Sequence, residues 1–181
     1  MIEILRGLPA WQALWQRLEA AGWGDAAEPG RRTAFNGLGH AIWQMRQNPA
    51  EAESWCVVVL HAGLLDHGIR GLATYRELPD RLELEYMGAA QAGQGAGTVL
   101  LRYLAAEAAA RHVPLTLSAY ASAAGFYRRH GMAEAPAQSG RPLARFTFSP
   151  AAAAHYAQTG RPLPPLIRHG EGVPTRHPGA H

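Results

Sequence analysis

The sequence predicts a mixed α/β domain, an α+β arrangement around a mixed sheet, over residues 1–159, followed by a Pro/Gly/Arg-rich tail over 160–181. Three observations predict it. The hydrophobic period is helical at Trp11, Leu14, Trp15 and Leu18, turns to β-branched runs from Ser54, and then alternates between the two. The 181 residues are the size of one domain. A composition of 48% hydrophobic and 17% charged residues suits a packed core rather than a disordered chain.

The elements follow in order. Residues 1–5 read as a short first strand. Residues 9–21 read as a helix, with Pro9 tolerated in the first turn and Gly22 near the stop. A Gly/Asp/Pro-rich loop leads to a second helix over 32–47, ended by Asn48-Pro49. Residues 54–61 form a buried strand, 69–76 a second and 82–87 a third, with Leu78-Pro79-Asp80 as the turn between the last two. A Gly-rich loop enters a helix over 98–111. A strand over 114–120, a short helix over 121–130 and a last strand over 143–148 complete the pattern. From Gly160 on, prolines dominate and little regular structure is expected.

Composition excludes several functions. All 17 basic residues are arginine, so Schiff-base and P-loop lysine chemistry are ruled out. The net charge is +3, two of it in residues 161–181, so the body carries no basic stripe for nucleic acid. No apolar run nears the ~18 residues a membrane helix needs. The single cysteine, Cys56, lies in an apolar run and reads as core; no CxxC metal site exists. His61, Asp66 and His67 flank a turn without a spaced third ligand, so no metal is expected. The N-terminus lacks the basic-then-apolar layout of a signal peptide, which makes the cytoplasm the expected location.

The informative segment is Met87-Gly88-Ala89-Ala90-Gln91-Ala92-Gly93-Gln94-Gly95-Ala96-Gly97-Thr98, which joins a strand to a helix. Alternating glycines let the backbone approach a ligand closely, and the N–H groups of a helix start favour an anion, naturally a phosphate or pyrophosphate. A Walker loop needs a lysine, and a dinucleotide fingerprint needs GxGxxG after the first strand of a βαβ unit, so neither fits. The glycines also serve a plain tight turn, and both readings stay open on spacing alone.

Gly93-Gln94-Gly95-Ala96-Gly97-Thr98-Val99-Leu100-Leu101 resembles the coenzyme A pyrophosphate loop of the GNAT superfamily of N-acetyltransferases, [QR]-x-x-G-x-[GA]. Gly95 and Gly97 take its two small positions, and Ala92 stands where the family has Gln or Arg. Downstream, Ala123-x-x-Phe126-Tyr127-Arg128-Arg129-His130-Gly131-Met132 resembles the family's A-x-x-[FL]-Y-x-x-x-G-F. Tyr120 replaces the Asn that often opens that motif, and Met132 the closing Phe. The resemblance covers about residues 54–148.

It implies a GNAT-like fold, with a mostly antiparallel sheet, one splayed parallel strand pair and helices on both faces. It implies acetyl-CoA as cosubstrate and direct attack by an acceptor amine, with possible homodimers. Met87, Gly88 and Ala89 would meet the pantetheine arm, Gln94, Gly95, Ala96, Gly97 and Thr98 the pyrophosphate, and Tyr120 and Tyr127 would also contact the cofactor. A backbone N–H near Met87 would polarise the thioester carbonyl. Tyr127 becomes the candidate acid for the departing thiolate, since a phenol near pKa 10 can serve a thiol near about 8.5; simple packing is the other reading.

Glu83 and Glu85 alternate with Leu82, Leu84 and Tyr86 and share one strand face, so either is a candidate base, with Glu85 nearer the loop. Pairing with Arg70 or Arg76 is the alternative. The acceptor stays open between a small amine and a peptide or protein amine. A non-catalytic acyl-CoA-binding sensor or interaction module is the rival function, supported by Ala92 and Tyr120.

Overall fold

The run Cys56–Leu60, apolar throughout, lies inside a single seven-stranded sheet in the computed structural model, which describes residues 1–62, 68–136 and 142–162. In chain order the elements are β1 (Ile2–Arg6), α1 (Leu8–Ala20), α2 (Pro29–Gln47), a 3-10 segment (Pro49–Ser54), β2 (Trp55–His61), β3 (Ile69–Glu77), β4 (Leu82–Ala89) and α3 (Ala96–Ala110). They continue with β5 (Leu115–Tyr120), α4 (Ala121–Arg129), β6 (Ala133–Glu134), β7 (Leu143–Phe148) and α5 (Pro150–Thr159). The strand order is β1-β2-β3-β4-β5-β7-β6, and β4–β5 is its parallel pair.

Helices cover both faces, which is why every residue of β2 is buried. On one face Trp11, Leu14 and Leu18 of α1 and Leu38 of α2 meet Val57, Val59 and Leu72. On the other, Leu100 and Leu104 of α3 and Tyr156 of α5 meet Val58, Tyr75, Leu84 and Phe146. Each fully buried Leu or Val contributes roughly 1.5–3 kcal/mol. Cys56 is fully buried among them, and burial pushes its thiol up to about 11, so it is a packing residue.

Beside an added 3-10 segment and two-residue shifts at the end of β4 and the start of α3, three elements depart most from the sequence expectation. Helix α2 begins at Pro29 rather than Arg32, because Pro fits a first helical turn. Gly30 and Gly88 then face each other with no side chain between them; a Cβ on either would run into the other strand or helix's backbone oxygen. This lets α2 lie directly on β4. The two-residue strand β6 is too short to show a period. Helix α5 carries alanines where a stripe would show, yet its ends are marked. Ser149 caps it by accepting from the Ala152 N–H at 3.2 Å, Pro150 follows, and Gly160 closes it in the left-handed region. The expected tail beyond residue 162 lies outside the described residues.

Candidate active site

The site starts from the glycines. Gly93 and Gly95 hold φ +77° and +75°, a region side chains avoid, so they are conformationally required. Gly95 is the N-cap of α3 and offers no side-chain cap. The first helical bond runs from the Val99 N–H to the Gly95 carbonyl, at 3.1 Å. The N–H groups of Ala96, Gly97 and Thr98 therefore have no helical carbonyl to meet. No acidic side chain sits in that first turn, so helix dipole and free donors both favour an anion.

The second part is the divergence of β4 and β5. They pair only over Leu82–Leu84 against Leu115–Leu117, and then separate. Between them one edge of each strand is left without a ladder partner. Beside the freed end of β4 lies a cleft of about 490 Å³, lined by Met87, Gly88, Ala89, the loop glycines, Ala96 and Thr98. Its far wall is one stripe of α4, namely Ala123, Phe126, Tyr127 and His130. Tyr127 is 8% exposed, and burial alone pushes its hydroxyl up to about 12. Its ring packs edge-on to Phe126 at 5.1 Å and beside Phe146 at 5.5 Å.

His130 ties the wall together. Its Nδ1 lies 2.8 Å from the Tyr156 hydroxyl and its Nε2 lies 3.4 Å from Thr98 Oγ1. Burial, helped by Arg129, lowers its pKa below the ordinary 6.5, which favours the neutral ring. In that state the ring donates to one of the two hydroxyls, Tyr156 or Thr98, and accepts from the other. The linkage has a definite sign. The unfolded chain takes up a proton on this ring first, so stability is level above 6.5 and falls as pH drops through it. We expect Tm to fall less between pH 8 and pH 5 in His130→Gln than in wild type; equal acid sensitivity of the two would contradict the assignment.

The carboxylates lie elsewhere. Strand β4 bulges at Glu85, where Thr74 pairs with Tyr86 and Tyr75 with Leu84. Arg76 Nε donates to Glu85 at 2.7 Å and its Nη2 donates to Glu83 at 2.9 Å, while the guanidinium stacks on Trp55 at 5.4 Å. Trp55 belongs to the core under α1 and α2, so both carboxylates sit on that side of the sheet. The alternative pairing with Arg76 is the one observed. Glu83 also lines a second cavity, about 430 Å³, with Thr116, Ser118, Arg145 and Thr147 over β5 and β7.

Eight of the cofactor-contact candidates, Met87, Gly88, Ala89, Gly95, Ala96, Gly97, Thr98 and Tyr127, line the one cleft. Two do not. Tyr120 is 69% exposed and alternates with the core residues Leu117 and Ala119, which turns it to the opposite face. Gln94 turns its side chain out of the cleft to the Gln91 amide oxygen. Gly30, Phe126, Arg129 and His130 are cleft residues that spacing alone did not single out. The signal was present for the last wall, since 123, 126, 127 and 130 are one helical stripe. His61 pairs with Glu3 at 2.8 Å, Asp66 and His67 lie outside the described residues, and no group of three His, Cys, Asp or Glu among the described residues could hold a metal. Among them, too, no helix is long and apolar enough to cross a membrane.

No protein-family model and no curated protein matches the chain. Solved structures do. AtaTR bound with acetyl-CoA matches with a TM-score of 0.58 at 17% identity, covering 86% of this chain and 96% of that one. The PaiA N-acetyltransferase from Thermoplasma acidophilum, in complex with coenzyme A, matches at 0.51 and 14%, covering 82% and 99%. A Desulfovibrio desulfuricans protein assigned to the GNAT acetyltransferases matches at 0.54 and 16%, covering 81% and 96%. At such identities the likeness is one of architecture. The fold is that of the GNAT acetyltransferases, with one parallel strand pair in a mostly antiparallel sheet.

Proposed function

We propose that the protein is an N-acetyltransferase that moves an acetyl group from acetyl-CoA to a primary amine by direct attack. The single observation that carries this reading is the cleft at the β4–β5 divergence, where three unpaired helix N–H groups meet open strand edges. Similar folds hold coenzyme A or acetyl-CoA in two of the matched structures. The residues fit such a group. The N–H groups of Ala96, Gly97 and Thr98 would take the pyrophosphate, and the backbone of Met87–Ala89 would take the pantetheine arm. When bound, acetyl-CoA supplies an activated acyl group as a thioester.

This chain's own residues then have distinct tasks. Were acetyl-CoA bound, a β4 N–H near Met87 would be placed to stabilise the charge that develops on its acyl oxygen. Tyr127 keeps its proton at neutral pH, since burial holds it at about 12. The same burial would raise the leaving thiol as well, so the phenol remains able to serve the departing thiolate. Its task would be that of the acid for the leaving sulfur. The amine would approach through the second cavity, over β5 and β7, which Glu83 lines. Glu83, or Glu85 through a water, accepts the amine proton while Arg76 fixes both carboxylates.

The rival reading, a binding module without turnover, is favoured by one observation: both candidate bases already accept from Arg76. Thiol release from acetyl-CoA over a panel of small amines and peptide amines decides between them. The enzyme reading expects amine-dependent release that loses its acid limb in Glu83→Gln or Glu85→Gln. Tight acetyl-CoA binding with no release from any amine would favour the module.

A further inference from the structure

Residue 70 ties both ends of the Gly-rich loop. Its carbonyl accepts from the Ala90 N–H at 2.7 Å, and its guanidinium Nη2 donates to the Gln94 carbonyl at 2.7 Å. Arg31 of α2 adds a third tie, its Nε donating to the Ala90 carbonyl at 3.0 Å while its guanidinium rests 5.8 Å from the Trp23 ring centre. Both guanidiniums wall a cavity of about 400 Å³ beside the loop, together with Gln91 and Gln94. These bonds draw two loop carbonyls toward fixed positive charges, and charge-assisted bonds of this kind are the stronger sort. The loop has reason to need them. Gly93 and Gly95 give it wide backbone freedom, and Ala92 has no polar group with which to hold it.

We propose that Arg70, seconded by Arg31, is the positioning residue of this site. It keeps the Ala90–Gln94 loop closed before any ligand arrives, so that the first N–H groups of α3 stand ready for a pyrophosphate. A loop left open must be ordered by the ligand itself, which weakens binding. The proposal rests on the cleft being a coenzyme A site, and its test separates the two ideas.

The test uses the full chain, with Arg70→Met, Arg70→Lys and Arg31→Met beside wild type. Coenzyme A affinity is read by calorimetric titration, and amide hydrogen exchange of residues 90–95 is read without ligand. Arg70 is a partly exposed strand residue, so the variants should melt within about 2 °C of wild type. We expect Arg70→Met to weaken coenzyme A binding by ~10-fold or more and to speed exchange in the loop by a similar factor. Lys keeps one charged donor and should recover most of both losses, and Arg31→Met should show a smaller loss, about threefold. If Arg70→Met weakens coenzyme A but leaves ligand-free exchange unchanged, the side chain touches the anion directly and the positioning role is wrong. Unchanged affinity and exchange would also overturn it. If wild type binds no coenzyme A, the functional reading fails, while faster exchange in Arg70→Met would still uphold the loop closure.

Discussion

Gly95→Glu is expected to abolish coenzyme A binding. Gly95 sits at φ +75° as the N-cap of α3, with no atom within 4 Å of where its Cβ would go. A side chain there costs about 1–2 kcal/mol in backbone strain, not a collision. The carboxylate would stand at the free N–H groups of Ala96, Gly97 and Thr98 and take the place of the pyrophosphate. It would also repel what it displaces. We expect affinity to fall by more than ~100-fold, about 3 kcal/mol, in a protein that still melts cooperatively. Gly95→Ala is the control, since it carries the strain without the charge and should stay within ~10-fold of wild type. Coenzyme A affinity within about threefold of wild type in Gly95→Glu would remove the helix start from the site.

Tyr127→Phe should divide binding from turnover. The ring packs between Phe126 and Phe146, and Phe keeps that packing, so the fold and the acetyl-CoA affinity should persist. On the proposed mechanism, what is lost is the donor to the developing negative charge on the leaving sulfur. Such donors are worth roughly 100-fold or more in kcat. With its hydroxyl pushed up to about 12, Tyr127 stays protonated through neutral and mildly basic pH. The wild-type rate should therefore show no loss from this group between pH 7 and pH 10. A kcat in Tyr127→Phe within about threefold of wild type would assign the residue to packing alone.

Much of the molecule is legible in the sequence because its signals are local. The Cys56–Leu60 run, the Leu78–Asp80 turn and the Gly-rich loop each carry their own chemistry. The resemblance of two separated motifs then places the loop and Tyr127 on one cleft, and the structure brings them together there. What was hidden depends on packing between distant segments. Tyr120 faces away because strand alternation sets its side, not its place in a motif. The bulge at Glu85 lets two carboxylates share Arg76, and bulges leave no mark in period-two spacing. His130 gains its role from Tyr156, in a helix of alanines that shows no stripe. The ties from Arg31 and Arg70 span 59 and 24 residues of chain, beyond the reach of any motif.

The central claim, that the cleft walled by β4, the Gly-rich loop and α4 takes acetyl-CoA, is tested most directly by thermal unfolding with and without that ligand, beside NAD and ATP. Binding at ~100 times Kd adds roughly 2.7 kcal/mol to native stability. For a domain of this size that is a rise in Tm of several degrees. A rise with acetyl-CoA that NAD and ATP do not match is the predicted result. No rise with acetyl-CoA at saturating concentration would contradict the claim and reduce the glycines to a tight turn.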